Sequence, residues 1–178
     1  MGTGGVSIFA LQLAKQLGAR VISTTSSAQK SDWLKAKGAT ATINYKEIPD
    51  WAEEVRKDTG QRGVDRVVEV GGPSTINQSL KSVAIGGEIV LIGFLSEQNP
   101  GIDYFALKGT KASLRSIAVG DRDNLESVVR AIDQTGLKPV IDSVHQFSEA
   151  KKAFELLEQR KHIGKIVIKV SESQMEPV

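Results

Sequence analysis

Gly2-Thr3-Gly4-Gly5-Val6-Ser7, running straight into Ile8-Phe9-Ala10-Leu11-Gln12-Leu13-Ala14, is the stretch that decides the fold. It fits the pattern G-x-G-x-x-small. The apolar residues that follow, Val6, Ala10, Leu13, Ala14 and Leu17, have the spacing of one helix face. In such a turn the first glycine permits a tight bend and the second lets backbone approach a pyrophosphate. The third position must be small so that helix and strand can pack. The free amides and the positive end of the helix then face the phosphates. A lone glycine turn is a weak signal, because many helices begin on one. Here a helix follows at once, a strand ends about 20 residues later, and strands and helices go on alternating. A dinucleotide site is therefore expected at Gly2, Gly4, Gly5 and Val6.

Outward from that turn, β-branched runs alternate with helical stretches. Strands are expected at 20–25, 41–45, 64–70, 88–93, 114–119, 140–144 and 165–170. Helices are expected at 6–17, 31–37, 50–58 with Asp50 as cap, from Ser74 or Thr75 to 83, 124–134 and 148–160. The segment 88–93 (EIVLIG) is nearly all apolar and reads as buried on both faces. A polar loop is expected over 95–103. The alternation predicts an α/β fold, a doubly wound parallel Rossmann sheet with right-handed crossovers. The glycine turn should follow a strand, yet only Met1 precedes it. In the strand order 3-2-1-4-5-6 the strand so lacking is central, and its absence would part its neighbours by about 9.6 Å, two spacings of about 4.8 Å. The sheet is thus expected to lack its first strand, and the chain to be a piece of a longer protein.

The 23 basic and 21 acidic residues are interleaved, for a net charge of +2, which favours neither nucleic acid nor a membrane surface. No apolar run approaches the roughly 20 residues that span a bilayer. The first residues lack a basic leader, so no signal peptide is expected. Cysteine is absent, which excludes disulfides, thiolate metal ligands and a cysteine nucleophile, and is compatible with a cytoplasmic location. The two histidines, His145 and His162, have no second ligand at helical spacing. They read as structural or surface residues, and no metal site is expected in this segment. Lys165 reads as a solvated strand end within reach of a phosphate.

The end of the second strand of such a fold discriminates between the two nicotinamide cofactors. NAD sites place an acid there to hold the ribose hydroxyls. Here the position is Thr25, followed by Ser26, Ser27 and Lys30. Hydroxyls and an ammonium suit a 2′-phosphate, so NADP(H) is preferred and NAD(H) possible. The competing reading has Ser26 and Ser27 capping the next helix and Lys30 solvated.

The stretches GTGGVSIFALQLAKQLGARVI (2–22), GVDRVVEVGGPSTINQSLKSVAIGGEIVLIGF (63–94) and HIGKIVIKV (162–170) together resemble the medium-chain dehydrogenase/reductase superfamily. Within it they are similar to zinc-type alcohol dehydrogenase-like proteins and NADPH:quinone oxidoreductases. The resemblance covers essentially the whole chain. It implies a Rossmann domain over 1–120 and, over 121–178, a return to a catalytic domain that precedes the glycine turn. It implies Gly4, Gly5 and Val6 at the pyrophosphate, and Ser26, Ser27, Lys30 and Tyr45 around the adenosine phosphate. It further implies Val70, Gly71 and Gly72 at the nicotinamide ribose, Gly93 and Phe94 near the nicotinamide, and a homodimer formed through the strand at 114–119. The glycines have independent support, since ligands lie beyond the carboxyl ends of such strands. Tyr45 and Phe94 rest on the resemblance alone. Catalytic residues do not carry over, because the family's catalytic zinc ligands lie before the glycine turn.

The activity so implied is hydride transfer between NADP(H) and an alcohol, aldehyde, enone or quinone. The alternative is a dinucleotide-binding module with no chemistry of its own. Tyr104 and Lys108 also match the YxxxK of short-chain dehydrogenases, but the glycine pattern is wrong for that family and 99–101 (NPG) signals a loop.

Overall fold

Periodicity and glycine placement carry through to the elements in chain order. A computed structural model describes residues 2–95 and 101–171. Helix α1 (Gly5–Gln16) leads into β1 (Ile22–Thr25), α2 (Ala28–Ala36), β2 (Ala41–Asn44) and α3 (Trp51–Asp58). Next come β3 (Val64–Glu69), α4 (Ile76–Ser82), β4 (Val83–Leu91), α5 (Tyr104–Thr110) and β5 (Ser113–Ser116). The chain continues through α6 (Arg122–Thr135), β6 (Ile141–Gln146), a short 3₁₀ turn, α7 (Ala150–Glu158) and β7 (Lys165–Lys169). Gly18 and Gly136 follow α1 and α6 with φ of 76° and 64°, the left-handed backbone that glycine adopts without cost.

Every ladder is parallel, and together they make three sheets among the described residues: β1-β2, β3-β4-β5 and β6-β7. None joins β1 to β3. The sheet is parted where the expected order puts its first strand. Packing is parted in the same way. Leu11, Leu34 and Ala39 form one core with Val21 and Trp33 against it. Ile76, Leu80, Val83 and Ile89 form another, with Val67, Leu91, Leu107 and Leu114 around it. Ile89 is fully buried and Val90 is 5% exposed, as the apolar run predicts for the middle strand of its ladder. Across the same ladder Glu88 stands between Arg66 and Arg115, each 2.8 Å away. Both arginines are largely exposed, so the pairs add little stability.

Four expectations need correction. Strand β5 pairs only to Ser116, because its partner β4 runs out at Leu91. The Ile117 amide still donates to the Leu91 carbonyl at 3.1 Å, but residues 117–119, expected as strand, have no residues of β4 to pair with. Strand β4 begins at Val83, ahead of the expected start at 88, with an irregular register across Gly86, whose φ is 74°. Asp50 occupies the cap position of α3 without capping it. Its Oδ1 accepts instead from Gln78 Nε2 at 3.0 Å, while Gln78 Oε1 accepts from the Ala52 amide at 2.9 Å. Helix α5 was missed altogether. It is seven residues long, and Asp103 caps it by accepting from the Ala106 amide at 2.9 Å. The loop expected over 95–103 lies in part outside the described residues.

Candidate dinucleotide-binding site

The glycine turn is built as its pattern requires. A Cβ on Gly2 would run into the Thr24 carbonyl at the end of β1 and approach Leu34 to 3.2 Å. The bend must therefore be glycine for the turn to lie against that strand. Gly4, the N-cap of α1, is different: a Cβ there would meet nothing within 4 Å. No side chain caps the helix and no acid lies in its first turn. The positive end of α1 thus has open room at Gly4. Above it stands a cation from the other end of the chain. A Cβ on Gly5 would lie 2.6 Å from both Cε and Nζ of Lys165. The lysine is delivered by β7, whose approach is held by a parallel bridge between Gly4 and Gly164 and by donation from the Gly164 amide to the Thr3 carbonyl at 2.9 Å. Val6, in the first turn, is 48% exposed.

The residues expected around an adenosine phosphate gather at the carboxyl ends of β1 and β2. The Tyr45 amide donates to the Thr25 carbonyl at 3.0 Å, placing Tyr45 beside Ser26 and Ser27. All three are half-buried. Ser27 Oγ accepts from the Lys30 amide at 3.3 Å and caps α2. The capping alternative is therefore correct for Ser27. Lys30 Nζ donates to the Arg160 carbonyl at 3.3 Å, so the C-terminal segment reaches this corner too. No carboxylate stands at Thr25, Ser26 or Ser27.

At the ends of β3 and β4 two glycine turns interlock. A Cβ on Gly93 would run into the Val70 carbonyl, and one on Gly72, where φ is 87°, would come within 2.8 Å of the Gly93 carbonyl. The Leu95 amide donates to the Gly71 carbonyl at 3.1 Å. Val70, Gly71, Gly72, Gly93 and Phe94 are thereby brought together, with Phe94 85% exposed. Beneath them lies Glu69, 4% exposed, which motif reading did not single out.

His145 Nε2 is paired with Ser143 Oγ at 3.0 Å, and Tyr104 is 64% exposed. The ionisable groups displaced from their ordinary values are surface pairs away from these loops. The Arg62 hydrogen bond holds Asp65 low, Lys152 does the same to Glu149, and Glu54 holds Lys57 high. Among the described residues no group of three or more His, Cys, Asp or Glu is placed to hold a metal, and no helix is long and apolar enough to cross a membrane.

A glycine turn thus opens α1, and two interlocked turns close the ends of β3 and β4. A family model for zinc-binding dehydrogenases matches residues 5–134. The chain belongs to the zinc-binding dehydrogenase family. A zinc-type alcohol dehydrogenase-like protein of Schizosaccharomyces pombe is 40% identical over 174 residues, 96% of this chain and 50% of that one. A crystal structure of an NAD-dependent alcohol dehydrogenase superposes with a TM-score of 0.87 at 35% identity, over 94% of this chain and 49% of that one. A mycobacterial protein solved with NADPH superposes with a TM-score of 0.80 at 28% identity, over 95% and 54%. The chain thus spans about half the length of these relatives. Its fold is the Rossmann half of a medium-chain dehydrogenase/reductase.

Proposed function

We propose that this chain is the dinucleotide-binding half of a nicotinamide-dependent oxidoreductase of the alcohol dehydrogenase and quinone reductase type. The whole protein transfers hydride between NADP(H) and an alcohol, aldehyde, enone or quinone. The observation that carries this reading is the cradle at Gly4. No side chain caps the start of α1, Gly4 leaves room beside it, and the Lys165 ammonium stands over its first turn. A pyrophosphate needs donors, a positive dipole end and a countercharge together. Bound nicotinamide supplies the hydride. This chain's residues hold and orient it: Gly2, Gly4, Gly5 and Val6 at the pyrophosphate, and Val70, Gly71, Gly72, Gly93 and Phe94 at the nicotinamide end.

NADP(H) is the preferred form in this reading. Ser26, Ser27, Lys30 and Tyr45 offer hydroxyls and an ammonium where a 2′-phosphate would sit, and none of positions 25–27 is an acid. Residues 1–120 form the dinucleotide-binding domain and 121–178 belong to the catalytic domain. The separate β6-β7 ladder supports that division. A homodimer forms through the open edge of β5, next to which Ile117 and Val119 are 39% and 92% exposed. Sedimentation that stays monomeric at all concentrations would remove the dimer. The absence of cysteine suits the cytoplasm.

The deciding experiment titrates the chain with NADPH and with NADH. Micromolar NADPH binding, with NADH about tenfold weaker or more, is expected. No binding of either refutes the reading for this chain. The second reading, a module that binds without chemistry, is favoured by the lack of a catalytic constellation among the described residues. It predicts that this chain binds NADPH but reduces no quinone or aldehyde.

A further inference from the structure

A carboxylate buried without a cation is expensive unless donors surround it, and Glu69 is such a group. It ends β3 and is 4% exposed. Its Oε1 accepts from the amides of Gly71 at 2.7 Å and Gly72 at 3.1 Å and from Thr75 Oγ1 at 2.7 Å. Its Oε2 accepts from Ser79 Oγ. Thr75 Oγ1 also lies 3.2 Å from the Gly72 carbonyl, but a hydroxyl has one proton, and the carboxylate is nearer. Through its backbone the same residue holds the opposite loop: its carbonyl accepts from the amides of Ile92 at 2.9 Å and Gly93 at 3.1 Å. One residue therefore grips both glycine turns, the first by side chain and the second by main chain. The turns leave it no slack. A Cβ on Gly71 would run into Thr75 and come within 3.1 Å of Glu69 Oε1.

We propose that Glu69 is a positioning residue for the nicotinamide end of the dinucleotide. Its carboxylate orients the Gly71 and Gly72 peptides, ties them to α4 through Thr75 and Ser79, and so fixes the shape of the loops at 70–72 and 93–94. It does not touch the cofactor. The proposal rests on the dinucleotide reading above, and it deepens that reading by separating the two ends of the ligand. Changes at Glu69 act on the nicotinamide end and leave the adenosine end, held by β1, β2 and α1, as it was.

The test compares each reduced cofactor with the same nucleotide lacking its nicotinamide: NADPH against 2′-phospho-ADP-ribose, and NADH against ADP-ribose. Calorimetric titration of the full chain is run for the native sequence, Glu69→Gln and Thr75→Val. Glutamine keeps an acceptor for the glycine amides but loses the charge that strengthens all four bonds. The expected result is that native chain binds the reduced cofactor more tightly than its truncated counterpart. Glu69→Gln should lose about fivefold or more of that advantage, Thr75→Val about twofold, with binding of the truncated nucleotides unchanged in both. Thr75→Val keeps the carboxylate and serves if Glu69→Gln does not fold. Equal losses for whole and truncated ligands would mean a general structural role and overturn the proposal. So would a native chain that gains nothing from the nicotinamide, or variants that keep the full advantage. Native chain that binds none of the four ligands would bring down the dinucleotide reading itself, and the proposal with it.

Discussion

A lysine that opens a strand is ordinarily a solvated end, yet the ammonium of Lys165 stands over Gly5 at the start of α1. If that cradle takes a pyrophosphate, Lys165→Ala should weaken NADPH and NADH alike by about tenfold, because both share the pyrophosphate. Titration of the variant checks this, and unchanged affinity for both would exclude Lys165 from the site. The glycines separate into two kinds. Gly93 faces the Val70 carbonyl with no room for a methyl group, whereas Gly4 faces open space. Gly93→Ala should cost about 2–4 kcal/mol of stability, since backbone must move. Gly4→Ala should cost no more than about 1 kcal/mol while its methyl obstructs the phosphate approach and lowers cofactor affinity. Paired denaturation and titration curves read both effects. Gly4 is legible in sequence because turn chemistry is local. Lys165 is legible only as a strand end within reach of a phosphate; its place over Gly5 is not, because nothing near it in sequence points there.

Helix α3 and helix α4 are joined by Arg56, whose guanidinium replaces missing helical partners. Its Nε donates to the Lys81 carbonyl at 2.7 Å and its Nη2 to the Val83 carbonyl at 2.8 Å, which ties off the end of α4. Its Nη1 donates to the carbonyls of Arg62 at 2.9 Å and Gln61 at 3.2 Å. Arg56→Met keeps the stem and leaves these carbonyls to solvent or unpaired, so a loss of about 2 kcal/mol is expected in denaturant unfolding. A change below about 0.5 kcal/mol, the usual size for a surface substitution, would deny it this role. Element boundaries that depend on local signals are readable in the sequence, as at α1. Where a polar side chain had a choice of partner, it went elsewhere. Asp50 took Gln78 and Thr75 took Glu69, although both stand at cap positions. A capping residue declares a helix start, but its proton or lone pair goes to the strongest partner that packing brings within reach.

Across the whole molecule the unjoined edges of β1 and β3 set the pattern of local stability. Among the described residues strand β4 is paired on both sides, whereas β3 is paired only to β4 and β1 only to β2. Hydrogen exchange should therefore be slowest in β4 and faster in β1 and in β3, on the side away from its partner. Uniform protection across all three would mean that the gap is closed in solution. Composition, the order of strands and helices apart from α5, the glycine turn and the expected break in the sheet were all legible in the sequence alone. These follow from period, φ preference and side-chain size, which act over a few residues. Only the tertiary structure decided that Lys165 overhangs Gly5, that Lys30 reaches the Arg160 carbonyl, and that Glu69 lies buried beneath two interlocked turns. Such meetings join residues from distant parts of the chain, and they exist only once every intervening element has packed.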